Sequence, residues 1–174
     1  MPLANALAAA CGFAAPSLAP GAPADLVIGP VVRAYLAPAA LQEIMDLMAW
    51  GGFGLKSHRT AETPLIKMIT EQRHLHRSVS IQEDHARGLA PPFSDVGFIK
   101  PAAVNLIERG VYRNCLVDPR SGREFGATVN AASEYPESLA MAPGTLARDD
   151  IYGALGTGLL INNLWYGNFS DRSN

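Results

Sequence analysis

Val104-Asn105-Leu106-Ile107-Glu108-Arg109-Gly110-Val111-Tyr112-Arg113-Asn114-Cys115-Leu116-Val117 is the stretch whose reading decides the fold. Two arms rich in β-branched, aliphatic and aromatic residues flank Arg109-Gly110, which predicts a tight hairpin with Gly110 taking the positive φ that such turns need. Asp118-Pro119 closes it. Upstream, Leu75, Arg77, Val79 and Ile81 alternate with His76, Ser78, Ser80 and Gln82, the period-two pattern of a strand with one wet face. Residues 88–97, holding Pro91-Pro92 and Ser94-Asp95, read as a loop. Downstream, Leu139-Ala140-Met141 before Pro143-Gly144 predicts another strand and turn. Thr145 is a candidate cap for a helix over residues 146–155, with Asp149 and Asp150 early in it, and residues 159–165 give the last strand signal.

Nearer the N-terminus, Leu41, Ile44, Met45 and Met48 recur at i, i+3, i+4 and i+7, one face of an amphipathic helix with Pro38 near its first turn and Gly51-Gly52 past its end. A second short helix is expected over residues 64–70. Leu26-Val27-Ile28, ended by Gly29-Pro30, is a short strand signal. Residues 14–24 are rich in Pro, Ala and Gly; repeated prolines fix φ and remove backbone donors, so neither helix nor sheet propagates through them. A domain boundary follows near residue 25. Helices first, strands after and one more helix between them make the fold class α+β, with antiparallel pairing and a few short helices.

The chain has 174 residues, 48% hydrophobic and 17% charged, with a formal net charge of −2. That is enough chain to bury roughly two-thirds of its unfolded surface in a core, which excludes collagen-like, disordered and disulfide-stapled classes. The balanced charge argues against a nucleic-acid binder, whose phosphate contacts need a basic face. Cys11 and Cys115 are far apart in unlike contexts and read as reduced thiols. The apolar run 3–15 has no basic residue before it and is shorter than the roughly 20 residues a membrane span needs. The reading is a cytoplasmic protein with neither nucleic acid nor membrane as partner.

Side chains suited to hydrolytic chemistry are sparse. There is no G-x-S-x-G elbow. The four histidines are His58, His74, His76 and His85. On a strand, His74 and His76 would share a face and could bind one ion together with His85, but the plainer reading is a polar surface. Glu83 and Asp84 are neighbours whose side chains point to opposite faces of a strand, read as a solvated strand end. Gly153, Gly156 and Gly158 follow a helix rather than open one, so they are stop and turn glycines, not a phosphate loop. The densest array of amides, aromatics and hydroxyls comprises Asn162, Asn163, Trp165, Tyr166, Asn168, Ser170 and Arg172. Amides can bond an extended peptide backbone while aromatics pack its side chains; a polar corner pinned by its own hydrogen bonds is the alternative.

That array, together with Ser78-Val79-Ser80-Ile81-Gln82-Glu83-Asp84, Ala90-Pro91-Pro92-Phe93-Ser94-Asp95-Val96-Gly97, Leu106-Ile107-Glu108-Arg109-Gly110-Val111 and Glu134-Tyr135-Pro136-Glu137-Ser138-Leu139-Ala140-Met141 in this order, resembles the C-terminal domain of the TldD/PmbA family, the modulator-of-gyrase or metallopeptidase-related proteins. The resemblance covers most of residues 25–174. It implies an antiparallel, sheet-rich C-terminal domain truncated at both ends, with residues 1–24 the end of a missing N-terminal domain plus its Pro/Ala linker. It also implies a cytoplasmic two-subunit peptidase enclosing a cavity in which unfolded or modified peptides are cut. TldD-like subunits carry an H-E-x-x-x-H helix and a downstream Cys that bind zinc; PmbA or TldE-like subunits lack them. Here the corresponding helix, residues 41–53, holds Gln42, Glu43 and Asp46 and no His. The resemblance therefore implies a PmbA/TldE-like subunit with no catalytic or metal-ligating residue of its own, its zinc residing in a TldD-like partner. The alternative functions are a non-proteolytic peptide-binding or scaffold module and a self-contained metallopeptidase, and the alternative to a TldD-like partner is self-association.

Overall fold

The structure, a computed structural model, describes residues 33–165 and 167–169. The 26–28 strand signal, the 14–24 linker and the boundary near 25 lie outside the described residues, as do Tyr166, Ser170 and Arg172.

The decisive hairpin is present. β3 (Ala103–Glu108) and β4 (Val111–Tyr112) pair antiparallel through Glu108↔Val111, and Arg109 (φ 49°) and Gly110 (φ 82°) are both left-handed in the turn. The second arm is shorter than its composition suggests. Arg113 and Asn114 both donate their amides to the Leu106 carbonyl, ending the ladder, and Leu116 leaves to bridge Gly54 in parallel. Cys115 therefore lies outside any strand, half-buried, with burial pushing its thiol pKa up.

β2 (Ile81–Asp84) pairs with β3 on one side and with β5 (Leu139–Met141) on the other, both antiparallel, giving the sheet order β4-β3-β2-β5. The alternation over residues 75–82 makes a strand only at its end. Leu75 donates its amide to the Gly110 carbonyl at 3.0 Å, and Gly110 donates to the Val79 carbonyl at 2.7 Å. The hairpin tip thus takes the hydrogen bonds that a ladder would have used, and the periodicity reports packing, with Val79 and Ile81 buried. His74 and His76 consequently share no strand face; His76 Nδ1 bonds the Ser78 hydroxyl in a turn.

Helix α1 (Pro38–Gly52) matches expectation, with Pro38 in its first turn. Its regular geometry stops at Trp50 (ψ 81°) and Gly51 (φ 78°). Two short helices follow, α2 (Leu55–Arg59) and α3 (Ile66–Thr70). The Gly52 carbonyl behind the kink accepts from the Thr63 hydroxyl and the His58 ring, both at 3.0 Å. Helix α4 (Pro119–Phe125) was not anticipated: Asp118 accepts the Ser121 amide at 2.7 Å, Pro119 opens the first turn, and Gly126 (φ 65°) closes the last. Arg148–Asp150 form a 3₁₀ turn leading into α5 (Ile151–Leu155), entered from Ala147 rather than capped by Thr145. β6 (Leu159–Ile161) pairs parallel with β1 (Ala34–Leu36), a second small sheet outside the antiparallel pattern.

One face of the four-stranded sheet builds the core, with Phe53, Leu65, Val79, Ile81, Leu106, Ile107 and Leu116 in contact. No helix among the described residues is long and apolar enough to cross a membrane.

Gly110 joins conformation to packing, since a Cβ there would sit 2.1 Å from the Leu75 carbonyl oxygen, whereas one on Gly97 (φ 80°) would meet nothing within 4 Å. Gly110→Ala should therefore cost more than Gly97→Ala, which pays only the left-handed strain of about 1 kcal/mol. Urea unfolding of both variants checks this; equal losses would mean that the hairpin tip is not locked against Leu75.

Candidate functional site

A cleft of about 1090 Å³ lies between α1 and the sheet. Pro38, Leu41, Gln42, Met45, Asp46 and Ala49 line it from the helix, and β5 with its flanking residues lines it from Tyr135 to Pro143. Gln82 stands between Asn105 and Ala140 in register, and all three line the cleft, so the wet face of the sheet is its floor. β5 is an edge strand; its inner side bonds β2, and among the described residues no strand takes its outer side.

Glu83 and Asp84 do point to opposite faces, but neither is solvated: Glu83 is 1% exposed and Asp84 2%. Asp84 lines the cleft, where its carboxylate accepts from the Gln82 amide (2.9 Å) and from the Arg87 backbone N–H (3.1 Å) and Nε (2.7 Å), with Arg87 Nη2 paired to it at 2.7 Å. The Arg87 hydrogen bonds hold its carboxyl below the ordinary carboxylate range, against the opposing effect of burial.

On the other face, Glu83 Oε1 accepts the Glu137 and Ser138 backbone amides, both at 2.8 Å, and faces His85 Nε2 at 3.1 Å. His85 Nδ1 donates to the Pro101 carbonyl at 3.0 Å. Lys100, also buried, pairs with the Glu137 carboxylate. His85 is thus a core residue, not the surface histidine its sequence context suggests. The corner at residues 137–138, which leads into β5, is held by a carboxylate from below and an ammonium from beside it.

Asn162, Asn163, Trp165 and Asn168 are exposed and do not line the cleft. They follow a different face of α1: the Leu164 amide donates to Glu43 Oε1 at 3.0 Å, the backbone at Gly167 comes close to Leu47, and Phe169 and Trp50 have ring centroids 6.3 Å apart. The cleft's own amides are Gln42, Gln82 and Asn105. They escaped the sequence reading because they are scattered singly over three elements; the one local signal was a polar residue at each wet position of a strand.

Gln42 and Asp46 reach the cleft from α1, Glu43 is engaged with Leu164, and among the described residues no three His, Cys, Asp or Glu side chains gather as a metal-binding group.

Residues 30–174 match the family of the PmbA/TldA metallopeptidase C-terminal domain. No curated protein matches the chain. Among solved structures, a candidate modulator of a DNA gyrase from Thermotoga maritima is similar at 21% identity and TM-score 0.62, over 75% of this chain and 31% of that one. TldE from Thermococcus kodakarensis is similar at 19% identity and TM-score 0.62, over 81% and 34%. A candidate modulator of DNA gyrase from Bacteroides thetaiotaomicron is similar at 14% and 0.64, over 80% and 32%. These are likenesses of fold, and the chain spans about a third of the length of each solved protein.

The Asp84–Arg87 contact makes a signed prediction. A carboxyl whose folded pKa is depressed stabilises the fold above its ordinary value of 3.8 and loses that contribution as pH falls through the depressed value. Arg87→Gln should lower the urea midpoint at neutral pH, with the gap to wild type closing as pH drops below 3.8. A gap that stays constant across that range would deny the pair any role in stability.

Proposed function

The chain belongs to the TldD/PmbA family of metallopeptidase-related proteins, and from that premise we propose that it is a PmbA/TldE-like subunit. It completes a peptide-holding cavity with a zinc-bearing TldD-like partner. The observation that carries this reading is the cleft, where an edge strand, its outer side taken by no strand among the described residues, faces a helix bearing Gln42 and Asp46; by the resemblance, this helix corresponds to the one that carries imidazoles in TldD-like subunits. The fold likeness to TldE supports the same subunit type.

In this reading β5 receives an extended peptide by strand addition, main chain to main chain, which is tolerant of side-chain sequence. Gln42, Gln82 and Asn105 supply donors and acceptors for backbone groups on the far side of that peptide. Asn162, Asn163, Trp165 and Asn168 prolong the contact around α1; Tyr166, Ser170 and Arg172, the other residues of that array, lie outside the described residues. Zinc in the partner supplies a polarised carbonyl and an activated water; this chain's residues bind and orient the peptide and contribute no ligand. The partners are a protein subunit and an unfolded or modified peptide, in the cytoplasm, with no nucleic acid and no membrane.

The test uses full-length protein, alone and with a co-expressed partner carrying H-E-x-x-x-H, and a fluorescent unstructured peptide. Cleavage is expected only with the partner, and zinc only in the partner. Stoichiometric zinc in the isolated chain would overturn the assignment, and binding without cleavage in any assembly would replace it with a non-proteolytic peptide module. Ala140→Trp, which fills the floor opposite Gln82, should weaken peptide binding by about tenfold, or 1.4 kcal/mol, with the melting temperature kept. Unchanged anisotropy titrations would place the peptide elsewhere.

A further inference from the structure

The register of β5 decides which of its backbone groups can reach a ligand. Asp84 donates its amide to the Ser138 carbonyl and Ala142 donates to the Ser80 carbonyl, both at 2.9 Å. Ser138 and Ala142 therefore turn main-chain groups toward β2. Ala140, paired with Gln82 midway between them, does the same, because a strand alternates with period two. Leu139 and Met141 then point their N–H and C=O groups the opposite way, to the outer edge. Among the described residues nothing bonds these groups, although the Leu139 and Met141 side chains pack on the core. Both ends of this edge are closed. Two positions before Leu139 stands Glu137, whose amide is taken by Glu83 Oε1 at 2.8 Å. Two positions after Met141 stands Pro143, which has no N–H to give.

We infer that the outer edge of β5 is a two-rung ladder for a peptide main chain, with Leu139 and Met141 as its rungs, and that it selects peptides by their backbone. Each rung offers one N–H and one C=O. An antiparallel peptide fills both with residues i and i+2, a stretch of about three residues. What the peptide must bring is one unsubstituted edge, with free N–H groups at i and i+2. The residue between them stands opposite Ala140 and shares its cleft-facing side, so its side chain is not read by the ladder. A helical segment is refused because its N–H groups are spent on its own carbonyls. A run of proline or N-alkylated residues is refused because it has no N–H to offer. The short ladder also limits how much chain can be gripped, since the proline at one end stops a longer strand from growing onto the edge. The inference rests on the peptide-holding function proposed above, and adds to it where the peptide lies and which peptides are turned away.

Backbone amide exchange in the full chain, followed by NMR, reads the ladder directly. In the free protein the Leu139 and Met141 amides should exchange about tenfold faster than those of Ala140 and Ala142, after correction for intrinsic rates. A saturating fluorescein-labelled unstructured peptide should protect Leu139 and Met141 and leave Ala140 as it was. In anisotropy titrations, an analogue N-methylated at alternate residues keeps one free edge and should bind within about threefold of the parent peptide. One methylated at every residue should bind about tenfold more weakly or worse. Pro143→Ala supplies an N–H at the next outward position, outside the core, and should tighten binding by about threefold. Leu139 and Met141 amides that are already protected in the free chain, or binding indifferent to full N-methylation, overturn the ladder. Failure of the ladder is distinct from failure of the proposed function. A peptide that binds, or is cut when the partner is present, while the Leu139 and Met141 amides stay unchanged removes the ladder and keeps the peptide-holding subunit; a peptide that binds in no assembly removes both.

Discussion

A carboxylate taken out of water must find its solvation in the protein, and Glu83 finds it on one oxygen. Two backbone amides and a histidine converge on Oε1, from residues 54 and 55 positions away in sequence and from two positions ahead. An unpaired charge at that depth would cost several kcal/mol, so the strand carrying Glu83 and the corner preceding β5 cannot separate without exposing it. The cleft floor inherits this rigidity. β2 brings Asp84 and Gln82 to the wet face because Glu83 is committed to the other, and β5 lies beside β2 because its entry is bonded to the same carboxylate.

Helix α1 does two jobs with two faces. Leu41, Gln42, Met45, Asp46 and Ala49 look into the cleft, while Glu43, Leu47 and Trp50 hold the segment that follows β6. The spacing of each set is helical, i to i+4 or i+7, so a rotation of the helix would lose both. Its C-terminal end is fixed separately. Gly51 takes a left-handed φ, and the Gly52 carbonyl receives two side-chain donors, one of them the His58 ring. Burial pushes the pKa of that ring below its ordinary value, and the Tyr112 hydroxyl lies 2.9 Å from its Nε2 and 3.3 Å from its Nδ1.

What was legible in the sequence was whatever is decided locally. The Arg109-Gly110 turn, the α1 stripe and the β5 run each carry their signal within a few residues, and each appears where expected. The α4 signal was equally local, Asp118-Pro119 at one end and Gly126 at the other, but was read as the close of a hairpin. The strand expected over 75–82 failed for a non-local reason, since Gly110, far along the chain, takes the backbone bonds of Leu75 and Val79. Glu83, Asp84 and His85 failed in the same way. Three polar residues at a strand end look solvated until Pro101, Arg87 and the 137–138 corner are folded onto them, and no period in the sequence announces that closure. The cleft itself was not legible: the described residues of the array singled out in the sequence, Asn162, Asn163, Trp165 and Asn168, do not line it, and its amides are contributed singly by α1, β2 and β3.

The charges around the cleft are consistent with the proposed ligand. Asp84 is bound by Arg87, Glu137 by Lys100 and Glu108 by Arg113, so three of the carboxylates that line it are neutralised by cations of the same chain. Such pairs contribute little stability where they are exposed, yet they cancel the field that would otherwise select basic or acidic side chains. What the cleft presents after that cancellation is a strand edge, three amides, the Asp46 carboxylate and the apolar side chains of Leu41 and Met45. Main-chain hydrogen bonding and unspecific apolar contact are what unfolded peptides have in common, whatever their sequence. A wall built this way would hold an extended chain beside a hydrolytic centre without choosing which residues it contains, and would leave any choice of bond to the subunit that holds the metal.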